Sequence, residues 1–306
     1  MFDWQLACPQ CKTRLDRIAS DAARCPLDAI VYRCVDGIWR LLPPDRLVTL
    51  QPFIDRYETI RDAEGWGAEE SGYYRALPFE DRSGQRVDLW RIRARNFQTA
   101  LDRVVKPIEQ RLRRPLRIVD VGAGNGWLSY RLAQRGHVVA AIDLLTNARD
   151  GLGAYRCYDA EFTPIQAEFD ALPLADHQAD AVVFNGALHY STDYAVTLRE
   201  ALRVLTPGGG VIVLDSPCYF EARSGQAMAS ERAADFARRY GVPTDVASHE
   251  NFLTPQRLRE LSAELGVTWQ FHQRWRGWPA RVRAWRARFT GTRELAHMPV
   301  IVGVRS

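Results

Sequence analysis

The stretch LRIVDVGAGNGWLSYRLA, from Leu116 to Ala133, decides the fold. It begins with a short apolar run, continues through glycines at alternate positions, and ends in a helix-like pattern. A glycine-rich turn between a strand and a helix lets backbone N–H groups approach a nucleotide-like ligand closely, because glycine has no side chain in the way. The stretch therefore predicts a ligand-binding loop that contains Gly122, Gly124 and Gly126.

The residues around this loop disfavour two common ligands. A phosphate loop of the Walker type ends in Gly-Lys-Ser/Thr, whereas this loop ends in Gly-Asn-Gly-Trp and has no nearby lysine. A dinucleotide fingerprint needs a third glycine at its sixth position, where this chain has Trp127. The loop instead reads Gly-x-Gly-x-Gly, and Asp120 precedes its first glycine by two residues.

Strand-like and helix-like stretches alternate from Pro115 onward. This alternation predicts a doubly wound, parallel α/β sheet with helices on both faces. One helix is expected to start near Asp193, and another at Thr254, because Pro255 is favourable in a first helical turn. The last two strands have no strong helix between them and are expected to pair antiparallel at an edge. The predicted strands are RIVDV, HVVAAIDL, TPIQAEF, ADAVVFNG, GVIVLD, VTWQFHQRW and MPVIVGV.

Polar residues also follow the next strands. Asp143 lies near the end of the second strand, where a carboxylate can accept two hydrogen bonds from a ribose diol. That acid is compatible with NAD and with an adenosyl ligand. The third strand favours the adenosyl ligand, since Glu168 and Phe169 lie at its end and the fourth strand ends at Asn185.

Four motifs now stand in order along the chain: VDVGAGNGW, AIDLL, AEFDALPLADHQADAVVFNGALHY and EALRVLTPGGGVIVLD. From about Leu116 to its C-terminus the chain resembles the class I S-adenosylmethionine-dependent methyltransferases. The resemblance is closest to the group that contains the ubiquinone and menaquinone biosynthesis methyltransferases. It implies a Rossmann-like, seven-stranded sheet with an antiparallel last strand, and S-adenosylmethionine as the cofactor.

The resemblance also implies roles by position. Asp120 would orient the glycine loop through backbone N–H bonds, and Asp143, with Leu144 beside it, would hold the ribose hydroxyls. Glu168 and the backbone of Phe169 would meet the adenine edge. The methionine part of the cofactor would contact Gly122, Ala123, Gly124, Gly126 and Asn185.

An acceptor hydroxyl would need a general base, whereas an amine, thiol or carbanion need not. His189, four residues beyond Asn185, is the candidate catalytic residue. A capping or packing role fits His189 equally well, and the adjacent Tyr190 is able to line the same pocket. The acceptor pocket is expected beneath a lid that is formed by the Tyr73–Tyr74 region and residues 218–252.

The first 45 residues contain four of the six cysteines. Cys8 and Cys11 form a Cys-x2-Cys knuckle, whose two thiolates can share one tetrahedral Zn²⁺. A second knuckle that begins at Cys25 would end at position 28, which is an aspartate. The fourth ligand is therefore either Cys34 or Asp28, unless the segment is metal-free. The segment resembles the zinc ribbons that precede some methyltransferase domains, and such a metal would be structural.

The chain divides into three regions by composition. Residues 1–45 form the zinc-ribbon-like segment, residues 46–112 a helical linker and lid, and residues 113–306 the cofactor-binding domain. Apolar positions between Trp90 and Leu112 step by three and four, which predicts one amphipathic helix that Pro107 kinks or interrupts.

Composition narrows the function classes. The chain has 306 residues, 46% of them apolar and 25% charged, and a net charge of +4. No apolar stretch approaches a membrane span, and the first residues lack a signal pattern, so we expect a cytoplasmic protein without integral membrane association. The mild charge favours a small-molecule acceptor over nucleic acid.

Two alternatives remain open at this point. An RNA methyltransferase is supported by the arginines and tryptophans between Arg274 and Arg293, which can grip single-stranded RNA by charge and stacking. The same stretch also fits an amphipathic helix on an anionic membrane or a solvated lid. A protein that binds the cofactor or a partner without turnover is the third class.

Overall fold

A computed structural model describes residues 4–241, 249–272 and 293–305. The tryptophans of the arginine-rich stretch, and residues 242–248 of the predicted lid, lie outside these described residues.

The described residues form one sheet of eleven strands. The strands, in chain order, are β1 (Asp16–Ala19), β2 (Ala22–Arg24), β3 (Val31–Val35), β4 (Ile38–Arg40), β5 (Arg117–Val121), β6 (Val138–Asp143), β7 (Thr163–Gln166), β8 (Ala179–Asn185), β9 (Leu205–Leu214), β10 (Val267–Phe271) and β11 (Ile301–Arg305).

The spatial order of the strands is β1-β2-β3-β4-β7-β6-β5-β8-β9-β11-β10. Strands β5 to β9 pair in parallel, and the order turns back on either side of β5. In such a sheet, ligands bind outside the carboxyl ends of the strands where the order reverses. Strand β11 runs antiparallel to both β9 and β10, so the predicted seven-stranded sheet with an antiparallel last strand is confirmed.

The cysteine-containing segment extends this sheet. Strands β1 to β4 form an antiparallel meander, and β4 then pairs in parallel with β7 through Trp39 and Ile165. The zinc-ribbon-like segment is therefore continuous with the larger sheet.

Helices cover both faces of the sheet. They are α1 (Pro44–Ala63), α2 (Ser71–Ala76), α3 (Val87–Ala100), α4 (Lys106–Leu112), α5 (Trp127–Ala133), α6 (Tyr194–Val204), α7 (Ala222–Tyr240) and α8 (Pro255–Leu265). The two predicted helix starts are confirmed: Asp193 accepts a hydrogen bond from the Ala195 N–H at 2.7 Å, and Thr254 accepts one from the Arg257 N–H at 3.0 Å.

The long helix predicted around Pro107 is interrupted. Residues Leu101–Val105 form a π-helical turn between α3 and α4. Proline has no N–H to continue the helical hydrogen bonds, and its ring presses on the preceding turn, so a wider turn just before Pro107 relieves both constraints. The predicted interruption is confirmed.

Two hydrophobic cores lie on opposite faces of the sheet. In β8, Val182 and Phe184 belong to one core and Ala181 and Val183 to the other. Strands buried on both faces carry a continuous apolar run, which explains why β8 reads AVVF. This arrangement leaves the carboxyl ends of β5 to β8 open at one edge, where the candidate site lies.

Candidate active site

The glycine loop follows β5 and has the left-handed backbone that its sequence predicts. Gly122 and Gly124 have φ values of +71° and +55°. A Cβ on Gly122 would lie 2.3 Å from the Ala187 Cβ, whereas a Cβ on Gly124 would meet only the Asp150 carbonyl oxygen, at 3.7 Å. Gly122 is thus required for packing, and Gly124 leaves space at the surface of the cavity.

Asp143, at the end of β6, binds the loop directly. Its Oδ2 accepts a hydrogen bond from the Gly124 N–H at 2.8 Å, and its Oδ1 accepts one from the Leu145 N–H at 2.8 Å. Burial raises the pKa of this carboxyl, and the two N–H donors oppose the rise. Each carboxylate oxygen has a further lone pair, so Asp143 can still accept hydrogen bonds from a ligand.

The described hydrogen bonds of Asp120 come from Ser129, at the start of α5. The Asp120 Oδ2 accepts a hydrogen bond from the Ser129 hydroxyl on α5 at 2.7 Å, and its Oδ1 is buried without a partner among the described residues. Burial raises the pKa of Asp120 to about 7. Asp120 thus joins β5 to α5, while Asp143 holds the glycine loop.

A cavity of about 530 Å³ opens beside the loop. Eight of the predicted cofactor residues line it: Gly122, Ala123, Gly124, Asp143, Leu144, Glu168, Phe169 and Asn185. Asp120 and Gly126 are not among its described lining residues, and a Cβ on Gly126 would instead lie 2.8 Å from Phe162. These eight residues lie together because parallel strands place their carboxyl ends at one edge of the sheet.

Asn185 presents an unused acceptor at this edge. It ends β8, lines the cavity, and its Oδ1 is buried without a hydrogen-bond partner among the described residues. A buried amide oxygen without a partner costs free energy, which a bound donor would recover.

Sequence comparisons agree with this geometry. The family described as "Methyltransferase domain" matches residues 119–213, from β5 to the end of β9. A malonyl-[acyl-carrier protein] O-methyltransferase of Erwinia pyrifoliae is 38% identical over 101 residues, which are 32% of this chain and 36% of that protein. Residues 119–213 are therefore similar to a methyltransferase domain, and this part of the chain is called the methyltransferase domain from here on.

Other relatives cover similar parts of the methyltransferase domain. An uncharacterized methyltransferase of Mycobacterium tuberculosis is 33% identical over 159 residues, covering 48% of this chain and 63% of that protein. The ubiquinone/menaquinone biosynthesis C-methyltransferase of Vibrio cholerae is 31% identical over 107 residues, 32% of this chain and 40% of that protein. The chain thus spans less than two thirds of the length of these relatives. Within the described residues, no helix is long and apolar enough to cross a membrane.

Arginine and aromatic residues from α1, α3 and the loop after α1 also line the cavity. The Arg61 guanidinium lies 3.8 Å from the Trp66 ring centroid and pairs with Asp150. The Arg93 guanidinium lies 4.7 Å from the Trp90 ring centroid, and its buried Nε has no hydrogen-bond partner among the described residues. Sequence reasoning missed these residues, because the tertiary fold alone brings α1 and α3 against the loop.

Helix α1 covers the part of the cavity that Glu168 lines. Arg46, in its first turn, donates two hydrogen bonds to Glu168, at 3.0 and 2.5 Å. Glu168 therefore combines its predicted place in the cofactor pocket with an ion pair that fixes α1 over the methyltransferase domain.

The predicted lid differs from the observed one. Tyr73 and Tyr74 are buried, and the Tyr74 hydroxyl lies 2.7 Å from the Arg149 carbonyl oxygen, to which it donates a hydrogen bond. Neither is among the described residues that line the cavity; α1 provides that wall, and His249 is the lining residue from the 218–252 segment within its described part. The large, mostly apolar side chains of these two tyrosines predict that they line the acceptor pocket. In the structure they instead fill the hydrophobic core between α2 and the sheet.

His189 is buried beneath Tyr190 and is not among the described lining residues. Its Nδ1 lies 3.4 Å from the Ser216 Oγ. Burial, together with the positive charge of nearby arginines, lowers the pKa of His189 to about 3, so its neutral ring is a weak base. Tyr190 is the neighbour that reaches the cavity.

The front segment contains two equivalent knuckles. In the first, the Cys8 N–H donates to the Thr13 carbonyl at 2.8 Å, and the Cys8 carbonyl accepts from the Lys12 N–H at 2.9 Å. In the second, Cys25 makes the same two hydrogen bonds, with Ile30 at 2.9 Å and Ala29 at 3.0 Å.

The two knuckles place Asp28 where a second cysteine would be. Lys12 and Ala29 both have a φ of +60°, so Asp28 occupies in the second knuckle the position of Cys11 in the first. The donor atoms of Cys8, Cys11, Cys25 and Asp28 all lie within 4.8 Å of one another. Cys34 lies on β3 and does not belong to this group, so of the two predicted fourth ligands the structure brings Asp28 to the cluster.

Proposed function

We propose that the chain transfers the methyl group of S-adenosylmethionine to a small-molecule acceptor by in-line displacement. The cavity beside the glycine loop carries this proposal. Its volume of about 530 Å³ lies in the range of small-molecule sites, and its wall combines apolar and aromatic side chains with arginines, carboxylates and other polar groups.

The cofactor side of the cavity fits S-adenosylmethionine. Asp143 has lone pairs left for the ribose hydroxyls, and the Asn185 Oδ1 can accept a hydrogen bond from the ammonium of the methionine part. The acidic residues Asp143, Glu168 and Asp170 line this side, which suits a cofactor that carries positive charge.

The chemistry places modest demands on the protein. When bound, S-adenosylmethionine supplies a methyl group that is already activated by the positively charged sulfur. The chain's own residues then align the acceptor and exclude water. Alignment of the reacting groups can remove a large part of the activation free energy. Trp66, Trp90 and Trp127 form an apolar wall suited to both tasks.

The names of relatives support a metabolite-class acceptor. One relative is named for a malonyl group on acyl-carrier protein and another for ubiquinone and menaquinone biosynthesis. These names describe different acceptors, so they support the class of reaction and leave the acceptor of this chain to experiment. A cytoplasmic location is a further proposal, and it rests on the sequence alone.

We also propose that the front segment binds one structural Zn²⁺ through Cys8, Cys11, Cys25 and Asp28. Tetrahedral zinc accepts thiolate and carboxylate ligands, and the paired knuckles already converge on one point. All four ligand positions come from the protein, which leaves no open position for catalysis.

Calorimetry and turnover together test the proposed function. S-adenosylmethionine and S-adenosylhomocysteine should bind, and NAD should not. S-adenosylmethionine with a labelled methyl group, incubated with the protein and a metabolite extract, should yield a labelled small molecule. Binding of NAD would contradict the cofactor assignment, and cofactor binding without any methyl transfer would support the non-catalytic class.

A further inference from the structure

Tyr190 lines the cavity and is close in sequence to Asn185, one of the proposed cofactor residues. It ends the 3-10 turn Leu188–Tyr190, which follows β8 and Asn185 directly. Tyr190, Asn185 and Gly186 all line the cavity. The turn therefore carries a phenol group to the same space into which the end of β8 faces.

An arginine from α7 contacts this phenol. The Arg232 Nη2 donates a hydrogen bond to the Tyr190 hydroxyl oxygen at 3.0 Å, and the guanidinium lies 5.5 Å from the tyrosine ring centroid. The Tyr57 ring packs edge-on against Tyr190 with a centroid distance of 6.3 Å. These contacts hold the ring in one orientation, with its oxygen against a positive charge.

The charged groups around Tyr190 are mostly cationic. Arg232 on α7, Arg61 on α1 and Arg93 on α3 all interact electrostatically with it. Carboxylates lie near these arginines: Asp150 pairs with Arg61, Asp215 acts on Arg93, and Glu64 acts on Arg232. The other titratable neighbours are Tyr57 on α1, His189 in its own turn, and His249 from the segment before α8.

This environment stabilises a phenolate. Burial alone raises the pKa of Tyr190, but Arg232, Arg61 and the hydrogen bond from Tyr57 outweigh it and bring the pKa below the ordinary tyrosine value. Tyr57, packed against the same ring, has its pKa raised by burial and by the charge of Tyr190. The arginines therefore favour negative charge on one of the two phenols.

We propose that Tyr190 is the general base of this methyltransferase and that Arg232 positions it, for an acceptor with a phenolic or enolic hydroxyl. This inference rests on the proposed function, since it assigns a residue and an acceptor class to the same cavity. Proton transfer is efficient when donor and acceptor have similar pKa values. A phenol, with a pKa of about 10, matches a tyrosine, whereas an aliphatic alcohol, close to water at about 16, does not.

The reaction then balances without any further reagent. The Tyr190 phenolate oxygen takes the proton of the acceptor hydroxyl, and the acceptor oxygen uses the freed electron pair to bond the methyl carbon. The electrons of the broken C–S bond pass to sulfur, so the products are a methyl ether and neutral S-adenosylhomocysteine. Tyr190 afterwards returns its proton to solvent.

Ultraviolet titration near 295 nm tests the phenolate directly and without an acceptor. The wild-type protein should show a tyrosinate transition with a midpoint below about pH 10, and Tyr190→Phe should remove it. Arg232→Met should raise that midpoint by about one pH unit or more, and Arg232→Lys should largely restore it. Arg238→Met is the matched control, because Arg238 lies on the same helix with an exposed side chain paired to Asp235.

Turnover tests the acceptor class. With a panel of phenols, enols, aliphatic alcohols and amines, methylation should favour the phenols and enols. Tyr190→Phe should lower kcat by about 100-fold or more and leave the affinity for S-adenosylhomocysteine unchanged. A tyrosinate transition that Tyr190→Phe does not change, or turnover confined to amines, would overturn this inference. The proposed function would still stand in either case if the protein binds the cofactor. If the wild-type protein did not bind the cofactor, the proposed function itself would be wrong.

Discussion

Asp143 is the residue on which the cofactor side of the site depends most. Both of its oxygens already accept backbone N–H groups, from Gly124 and Leu145, so the carboxylate shapes the loop before any ligand binds. A residue that shapes a site and also contacts the ligand loses both contributions when it is truncated.

Replacement of Asp143 by alanine should weaken the binding of S-adenosylhomocysteine by about 1.5–3 kcal/mol, the range for hydrogen bonds to a charged group. Isothermal titration calorimetry measures this as a rise in Kd of roughly 10- to 100-fold. Asp88→Asn is the control, since that side chain on α3 is 90% exposed and pairs with Arg91. Equal affinities in Asp143→Ala and wild type would refute the assignment of the ribose to this residue.

Asp120 provides a prediction about pH. Its pKa is about 7 in the folded protein because the carboxyl is buried, against about 3.9 in the unfolded chain. The folded state therefore holds a proton that the unfolded state has lost, and this contribution to stability disappears as the pH rises through 7. Asp120→Asn should remove on the order of 2 kcal/mol of pH dependence between about pH 5 and pH 8.

Urea unfolding of the two proteins at both pH values measures that difference. The subtraction cancels the other titrating groups, including His189, whose lowered pKa acts in the opposite direction below about pH 6.5. Ser129→Ala should extend the loss to higher pH, because it removes the hydroxyl that donates to the ionised carboxylate. Parallel pH profiles for wild type and Asp120→Asn would show that Asp120 ionises normally.

At the scale of elements, the front segment carries the two knuckles of the proposed zinc site. The knuckles share backbone hydrogen bonds and left-handed residues, and the strands of this segment are only three to five residues long. Small segments with little core of their own are usually stabilised by a metal or by disulfides.

Purified protein should contain about one zinc per chain. Asp28→Ala and Cys8→Ser should each lose most of this zinc and lower the melting temperature, because each removes one of four ligands. Cys34→Ser is the discriminating control and should keep the metal, since Cys34 lies outside the convergent group. Elemental analysis of the three variants decides the matter: zinc retained in Asp28→Ala and lost in Cys34→Ser would reverse the ligand assignment.

The elements also show how far sequence reasoning reaches. The strands β5, β6 and β8 and the start of α6 are marked by local signals, namely apolar runs, glycines and the Asp193 cap, and they were predicted within one or two residues. No such local signal in the sequence places helix α1 over the cavity. Its place over the cavity depends on ion pairs with residues far along the chain, Arg46 with Glu168 and Arg61 with Asp150.

The same dependence on tertiary contacts decides which residues of the candidate site can be predicted from the sequence. The cofactor residues end neighbouring parallel strands, so one topology rule brings them together. The cavity is also lined by Tyr57 on α1, Trp66 in the loop after α1 and Arg93 on α3, and no spacing in the sequence relates these residues. Tyr190 was noted beside His189, but only the tertiary structure shows that the arginine of α7 reaches its hydroxyl.

At the scale of the whole molecule, the front segment and the methyltransferase domain share one sheet. Strand β4 hydrogen-bonds to β7, the strand that leads to Glu168, and Leu41 donates its N–H to the Gln166 carbonyl at 2.9 Å. Lys12 in the first knuckle pairs with Glu200 on α6 at 2.7 Å. The knuckles are thereby anchored to the same framework that carries the cavity. None of the knuckle residues is among the described lining residues of the cavity, so loss of zinc should affect stability more than cofactor affinity.

The choice between a small-molecule acceptor and RNA is also a property of the whole molecule. A net charge of +4 spread over 306 residues is mild for a chain that binds a phosphate backbone, and arginines such as Arg114 and Arg203 are paired to carboxylates. We expect weak RNA binding, with a shallow dependence of log K on log salt.

Filter binding of transfer and ribosomal RNA between about 50 and 200 mM salt measures that slope, because each neutralised phosphate contributes about −0.7 to −0.9. A control with all seven arginines from Arg274 to Arg293 replaced by glutamine tests whether any binding comes from that stretch. A slope of several phosphates that this variant abolishes, together with methyl transfer to RNA, would replace the small-molecule proposal by the RNA methyltransferase.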